Sequence, residues 1–296
     1  LPVLTPLLAL LLAREGLPVL LHGMRTEARR VLAIGGAVTE IVYALGQQDR
    51  LVGRDQTSTW PPEAASLPDV GYMRALSPEA VLSVSPDLIL AEEGAGPPEA
   101  VSVLKSAGVP YVSVAESPDP AGVLRKVDEV AEVLAVPERG RALHQRLAED
   151  LAEVSAKAAA VGAPRKVLFI LSMQGGKLTV GGAGTSADGI IRLAGGQNAI
   201  AGVQGYKPVT DEAVIAAAPD VILMMRRGDA RADAQANGGD GQAEARAAAL
   251  ALPALAQTPA GRNGAVVMMD GLKLLGFGPR TGEAALELHD LLYEGS

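Results

Sequence analysis

The sequence predicts an α/β protein of two Rossmann-like lobes, each with a largely parallel sheet, joined by one long α-helix and enclosing a ligand cleft. Three observations carry this. One segment is used twice, as LSPEAVLSVSPDLIL at 76–90 and VTDEAVIAAAPDVIL at 209–223, and the copies align without a gap. Short apolar runs alternate with helical stretches around both copies, the pattern of parallel strands joined by crossover helices. Between them, Leu143, Leu147, Leu151 and Val154 fall on one helical face with charges between them.

In chain order, Val31-Leu32-Ala33-Ile34 reads as a buried strand ended by Gly35-Gly36. Thr39 is a candidate cap for a helix through Leu45, stopped by Gly46. Leu51-Val52-Gly53 is a second strand, followed by a polar, Pro-rich loop through Trp60, Pro61 and Pro62. Ser77-Pro78-Glu79 starts a helix, with Ser as cap, Pro at the first position and an acid in the first turn. Pro86 ends it and Asp87 to Leu90 enters a strand; Val109 to Val114 is another. Pro137 to Ala160 reads as one helix of about 20 residues, roughly 30 Å long, stopped by Gly162 and Pro164. The first pattern then returns, Arg165 to Ile170 echoing Arg29 to Ile34, and the order of elements around both copies matches. Gly228 to Ala249 shows no apolar period until its end and reads as a mobile surface insertion. The expected divisions are an extension or signal remnant at 1–30, a first lobe at 31–136, the linking helix at 137–162 and a second lobe at 163–296.

The chain's 296 residues suit two domains. A net charge of −8 gives no electrostatic footprint for nucleic acid and disfavours anionic lipid. The absence of cysteine removes disulfides, thiolate metal sites and a Cys nucleophile. Leu7 to Ala13 is apolar, too short and too broken by Pro nearby for a bilayer span, and reads as the h-region of a secretory signal or as a first packed helix.

Enzyme chemistry finds few residues to use. Of three histidines, His144 lies on the polar side of the long helix and His289 in the C-terminal helix, and no G-x-S-x-G occurs. Gly182 to Ala187 fits G-x-G-x-x-A, yet the acid expected about 20 residues on is absent. These glycines fit better as a tight turn into a helix whose free N–H groups meet an anion. The stretches before the twin helices are more distinctive: Gly71-Tyr72-Met73-Arg74 and Gly205-Tyr206-Lys207 each place a cation within two residues of Gly-Tyr, in a chain with five tyrosines. Two readings stand. The tyrosines pack in amphipathic loops with their hydroxyls hydrogen-bonded, or Tyr72 ligates a metal. A phenol titrates near pH 10, so ionising one at neutral pH costs about 4 kcal/mol, which ferric iron supplies on coordination.

The stretches VGYMRALSPEAVLSVSPDLIL, GTSADGIIRLAGGQNAI, GYKPVTDEAVIAAAPDVIL and LGFGPRTGEAALEL, within about Val31 to Leu292, resemble periplasmic haem-binding proteins of bacterial haem-uptake ABC importers. The two-lobe form is shared with siderophore- and cobalamin-binding relatives, and the G-Y-M-R segment is the part that looks specific for haem. The resemblance implies a secreted periplasmic monomer that captures ferric haem in the interlobe cleft and hands it to a membrane permease, with no bond chemistry. Tyr72 would be the axial ligand, with Arg74 and Met73 beside it, and Glu79 and Glu212 would dock on the permease; without the resemblance, both acids read as first-turn residues favoured by the helix dipole. Some family members place a His near the position of Leu171-Ser172-Met173 for a second haem, where this chain offers Met173. Tyr206 or Lys207 would contact a second haem or a propionate; Arg226, Arg227 and Arg280 are further propionate candidates, or ordinary paired surface charges. The rivals are the same fold carrying a siderophore or cobalamin, and a dinucleotide-dependent enzyme using Gly182 to Ala187.

Overall fold

The structure, a computed structural model, describes residues 28–226 and 240–294. The first lobe is built on four parallel strands, β1 (Val31–Ile34), β2 (Leu51–Arg54), β3 (Leu88–Glu92) and β4 (Tyr111–Val114), in the order β2-β1-β3-β4. Its helices are α1 (Gly36–Ala44), α2 (Pro78–Ser83), α3 (Pro98–Ser106) and α4 (Pro120–Val133). The linking helix, α5, runs from Pro137 to Ala159 and buries the expected stripe of Leu143, Leu147, Leu151 and Val154. At 23 residues it is about 35 Å long.

The second lobe holds β5 (Lys166–Gln174), β6 (Lys177–Gly181), β7 (Gln197–Asn198), β8 (Tyr206–Val209), β9 (Val221–Arg226) and β10 (Val266–Asp270). Its helices are α6 (Ser186–Leu193), α7 (Asp211–Ala217), α8 (Asp240–Leu250), α9 (Pro253–Ala256), α10 (Pro259–Arg262), α11 (Gly271–Leu275) and α12 (Thr281–Tyr293). Its sheet runs β10-β9-β5-β6-β8, with β7 also on β5. The β10, β9, β5 and β7 pairings are parallel, whereas β6 and β8 add an antiparallel flank through a hairpin at Gly175-Gly176, both at positive φ.

The twin segments fold alike down to single bonds. Ser77 and Thr210 cap α2 and α7 by accepting from the N–H groups of Ala80 and Ala213. Ser85 and Ala218, at equivalent positions, both take the left-handed conformation, at φ 49° and 45°. The repeated Pro-Asp has a local reason: the Asp87 carboxylate accepts from the N–H groups of Arg29 and Arg30, and that of Asp220 from the N–H of Lys166. Each aspartate thereby clips the start of one strand to the start of its neighbour.

Two expectations are corrected. Helix α1 starts at Gly36 rather than at a Thr39 cap, because the Glu92 carboxylate at the end of β3 accepts from the N–H groups of Ala37 and Val38. A cap delivered from 55 residues away is invisible to a local pattern. The stretch from Gly228 is not wholly insertion, since its end forms α8, where an alanine-rich composition favours helix; residues 227–239 lie outside the described residues, as does the apolar run Leu7 to Ala13. Among the described residues no helix is long and apolar enough to cross a membrane.

One apolar cluster runs through both lobes and the linking helix, from Val31, Val38 and Val123 through Leu147 to Phe169, Ile190, Phe277 and Leu288. The lobes are wedged together by glycines. A Cβ on Gly189 of α6 would sit 2.3 Å from the carbonyl oxygen of Pro118, and one on Gly36 would sit 2.3 Å from Leu272 Cδ1.

Candidate functional site

Parallel sheets leave loops at the carboxyl ends of their strands, and ligands bind there. In this chain those ends meet. β1 runs into Gly35-Gly36, which packs on Leu272 of α11, the helix that follows β10. The long loop after β2 supplies one wall. Asp55 is fully buried and organises it: Oδ1 accepts from Gly35 N and Ser58 Oγ, and Oδ2 from the N–H and hydroxyl of Thr57. The loop's return strand is tied on by Gln56 N donating to Gly71 O. Gly71, at φ 101°, starts a turn closed by Ala75 N donating to Tyr72 O.

This turn sorts its side chains. Tyr72 is 43% exposed and Arg74 is exposed, with no ion-pair partner among the described residues. Met73 is 6% exposed and packs with Leu32, Ile34 and Leu76, its sulfur 3.9 Å from Thr57 Oγ1. Met73 is therefore the apolar anchor that lets its neighbours face outward, and it presents little surface of its own to a ligand.

The opposite wall comes from the second lobe. Tyr206 opens strand β8, with its ring edge-on to Phe169 at 6.3 Å and its hydroxyl accepting from Ala187 N at the start of α6. Burial raises its phenol pKa, opposed by the Ala187 N–H, by the Thr185 and Ser186 side chains and by the charge of Arg74 across the cleft. Because 206–209 is a strand and not a loop, Lys207 projects to the opposite face from Tyr206 and cannot share its contact. Met173 lies in β5 opposite Leu178 and packs on the second lobe's own apolar cluster. Arg226 is exposed at the end of β9, in register with Asp270, and Arg227 lies outside the described residues.

Arg280 is already engaged. Its Nε lies 3.1 Å from Glu40 Oε2 and its Nη2 2.5 Å from Glu40 Oε1, and its guanidinium stacks 4.5 Å from the centre of the Trp60 ring. Glu40 belongs to the first lobe, so this pair bridges the lobes. Burial raises the Glu40 carboxyl pKa, and the Arg280 hydrogen bond and charge oppose the rise. An arginine neutralised in this way is a poor free cation for a propionate.

The sequence profile of the "Periplasmic binding protein" family matches residues 31–271. The chain belongs to this family. Among solved structures it is similar to the periplasmic haem-binding protein BhuT in complex with two haems, at 44% identity and a TM-score of 0.81, covering 90% of this chain and 98% of that one. Among curated proteins it is similar to the uncharacterised ABC transporter substrate-binding lipoprotein YvrC of Bacillus subtilis, 27% identical over 203 residues, 68% of this chain and 64% of that one. It thus spans less than two thirds of that relative's length. It is also 26% identical over 200 residues to the vitamin B12-binding protein of Vibrio parahaemolyticus, 67% of this chain and 70% of that one.

The geometry of the Gly182 to Ala187 turn argues against a dinucleotide site. A Cβ on Gly182 would sit 2.0 Å from Val203 O, so this glycine permits a close approach of two backbones. At the start of α6 the buried Asp188 carboxylate accepts from Gly184 N, and Thr185 caps the helix by accepting from Asp188 N. These N–H groups are already taken, and the Asp188 carboxylate, paired with Arg192 at 3.0 Å, occupies the place of the anion that the sequence suggested. The two histidines among the described residues are already partnered: His144 Nδ1 lies 2.9 Å from Asp128, and buried His289 is 3.0 Å from Ala194 O. Glu79 and Glu212 are exposed in the first turns of the twin helices, outside the cleft walls. Glu212's pKa is lowered by its own backbone N–H and by the Thr210 hydroxyl.

Sequence reasoning passed over Trp60, Glu40 and the acid pair beneath the cleft. The signal for Trp60 was its being the only tryptophan, set in a polar loop. The buried Lys126 ammonium pairs with Glu116 at 2.6 Å and donates to Gly276 O of the second lobe. Burial pushes the neighbouring Glu92 carboxyl up to about 7, with Lys126 pulling it down and Glu116 adding to the rise. The folded state therefore keeps a proton that the unfolded chain loses near 4.5, and stability falls as pH rises between these values. The full loss is up to about 3 kcal/mol, reduced by the solvent reaching this partly buried group. Glu92→Gln is expected to flatten the thermal-unfolding profile across about pH 5 to 8; equal slopes in both proteins would clear Glu92.

Proposed function

We propose that this periplasmic binding protein captures ferric haem in the interlobe cleft and delivers it to the permease of an ABC importer. The observation that carries the reading is the Tyr72–Arg74 turn: an exposed phenol two residues from an exposed guanidinium that has no ion-pair partner among the described residues. Tyrosine oxygen is a hard donor suited to ferric iron, and a cation nearby favours the phenolate form that ligation needs. The similarity to BhuT supports the cargo. Tyr72 is the axial ligand and Arg74 its electrostatic neighbour. Tyr206 stands as the aromatic contact of the opposite wall, where a second haem or a propionate would lie. Lys207 and Arg226 lie outside that contact and belong to the rim, and the Met173 thioether replaces the histidine that would ligate a second iron. Glu79 and Glu212 dock the two lobe tips on the permease. The secreted, monomeric, periplasmic form is part of the same reading.

Cobalamin is the second reading, favoured by the vitamin B12-binding relatives. A titration of the protein with ferric haem, and separately with cobalamin, followed by visible absorbance, decides between them. Saturable binding of haem with a shifted Soret band and weak cobalamin binding is the expected result. The reverse order would move the protein to the cobalamin branch.

A further inference from the structure

We propose that Trp60 is a stacking wall for a flat ligand, and that Arg280, clamped by Glu40, is the residue that positions it. The inference rests on the haem reading for the identity of the ligand. Of the chain's aromatic side chains, all within the described residues, only Trp60, Tyr72 and Tyr206 are exposed, and all three stand where the lobes meet. An indole left 38% exposed forgoes burial that the core would reward. The loop cannot turn it inward, because Asp55 holds the preceding turn with four hydrogen bonds from Gly35, Thr57 and Ser58.

Its orientation is set from the other lobe. The Arg280 guanidinium lies 4.5 Å from the ring centre, and Glu40 fixes the plane of that guanidinium through Nε and Nη2. A planar cation against one face of an indole holds it by electrostatic attraction and stacking. The exposure then belongs to the rest of the ring, which is offered to the cleft. A macrocycle held by Tyr72 would meet a preset aromatic surface, and Arg280 serves as its brace instead of as a propionate donor.

Two probes separate stacking from ligation: ferric haem, and metal-free protoporphyrin IX, which Tyr72 cannot ligate. Trp60→Leu is expected to weaken protoporphyrin binding about tenfold or more, while Trp60→Phe keeps most of it. The visible spectrum of the ferric haem complex should be the same in both variants, since the iron ligand is untouched. Arg280→Lys keeps the charge on Glu40 but loses the planar brace; it should lower protoporphyrin affinity in the direction of Trp60→Leu, with thermal unfolding close to wild type. Protoporphyrin affinity in Trp60→Leu equal to wild type overturns the assignment of Trp60 alone. Equal losses in the Leu and Phe variants overturn stacking in favour of loop packing. A wild-type protein that binds neither probe overturns this inference together with the haem reading.

Discussion

Replacing Tyr72 by Phe is expected to weaken ferric haem binding by at least about a hundredfold, since residues that merely support a metal ligand already cost up to that much. The substitution removes one oxygen from a side chain that is 43% exposed, so folding should be unaffected. The tyrosinate-to-iron absorption should vanish with it, leaving a spectrum typical of water or weak-field ligation. Tyr206→Phe is the internal control. Its hydroxyl is spent on the N–H of Ala187, and its loss should leave the iron spectrum as in wild type. If Tyr72→Phe kept full affinity and an unchanged spectrum, the ligand would have to be sought elsewhere in the cleft. A loss that appeared only with Tyr206→Phe would exchange the roles of the two walls.

The largest stability effect is expected at Lys126. Its side chain is fully buried, pairs with Glu116 at 2.6 Å and reaches Gly276 O at 3.3 Å. Lys126→Ala leaves Glu116 and Glu92 without their cation in a partly buried place, where the other oxygen of Glu116 already has no partner. Breaking a buried pair on one side costs about 3 to 5 kcal/mol, which in a chain of this size lowers Tm by roughly ten degrees. The double variant Lys126→Met with Glu116→Leu strands neither member of the pair; Glu92 loses its cation and the repelling Glu116 together, and much of the loss should be recovered. Denaturant unfolding of the single and double variants checks this. Equal losses in both would show that the packing of the lysine stem dominates, with charge secondary. Because the Gly276 contact crosses between lobes, the single variant should also loosen the cleft that the ligand needs.

Much of the frame is legible in the amino-acid sequence. The repeat at 76–90 and 209–223 announced two similar lobes because its caps and its Pro-Asp clip are local devices: each acts within a few residues or on the adjacent strand start. The linking helix was equally plain, since its stripe of leucines and Val154 repeats at helical spacing. The second sheet's antiparallel flank was not, because a two-glycine hairpin and an edge strand beginning Tyr-Lys-Pro look like loop. That misreading put Lys207 beside Tyr206, when strand alternation sends the two to opposite faces.

What the sequence by itself determined is the set of short-range decisions: where helices start and stop, which residues form the long stripe, and that Gly-Tyr followed by a cation marks each lobe once. What only the tertiary structure decided is which of those residues face one another. Glu40 and Arg280 are 240 positions apart and form one ion pair; Glu92 caps a helix 55 positions before it; Met73 turns inward where Tyr72 turns out. The physical reason is that these contacts are set by burial and charge pairing between elements, and such terms depend on distances that no local periodicity encodes.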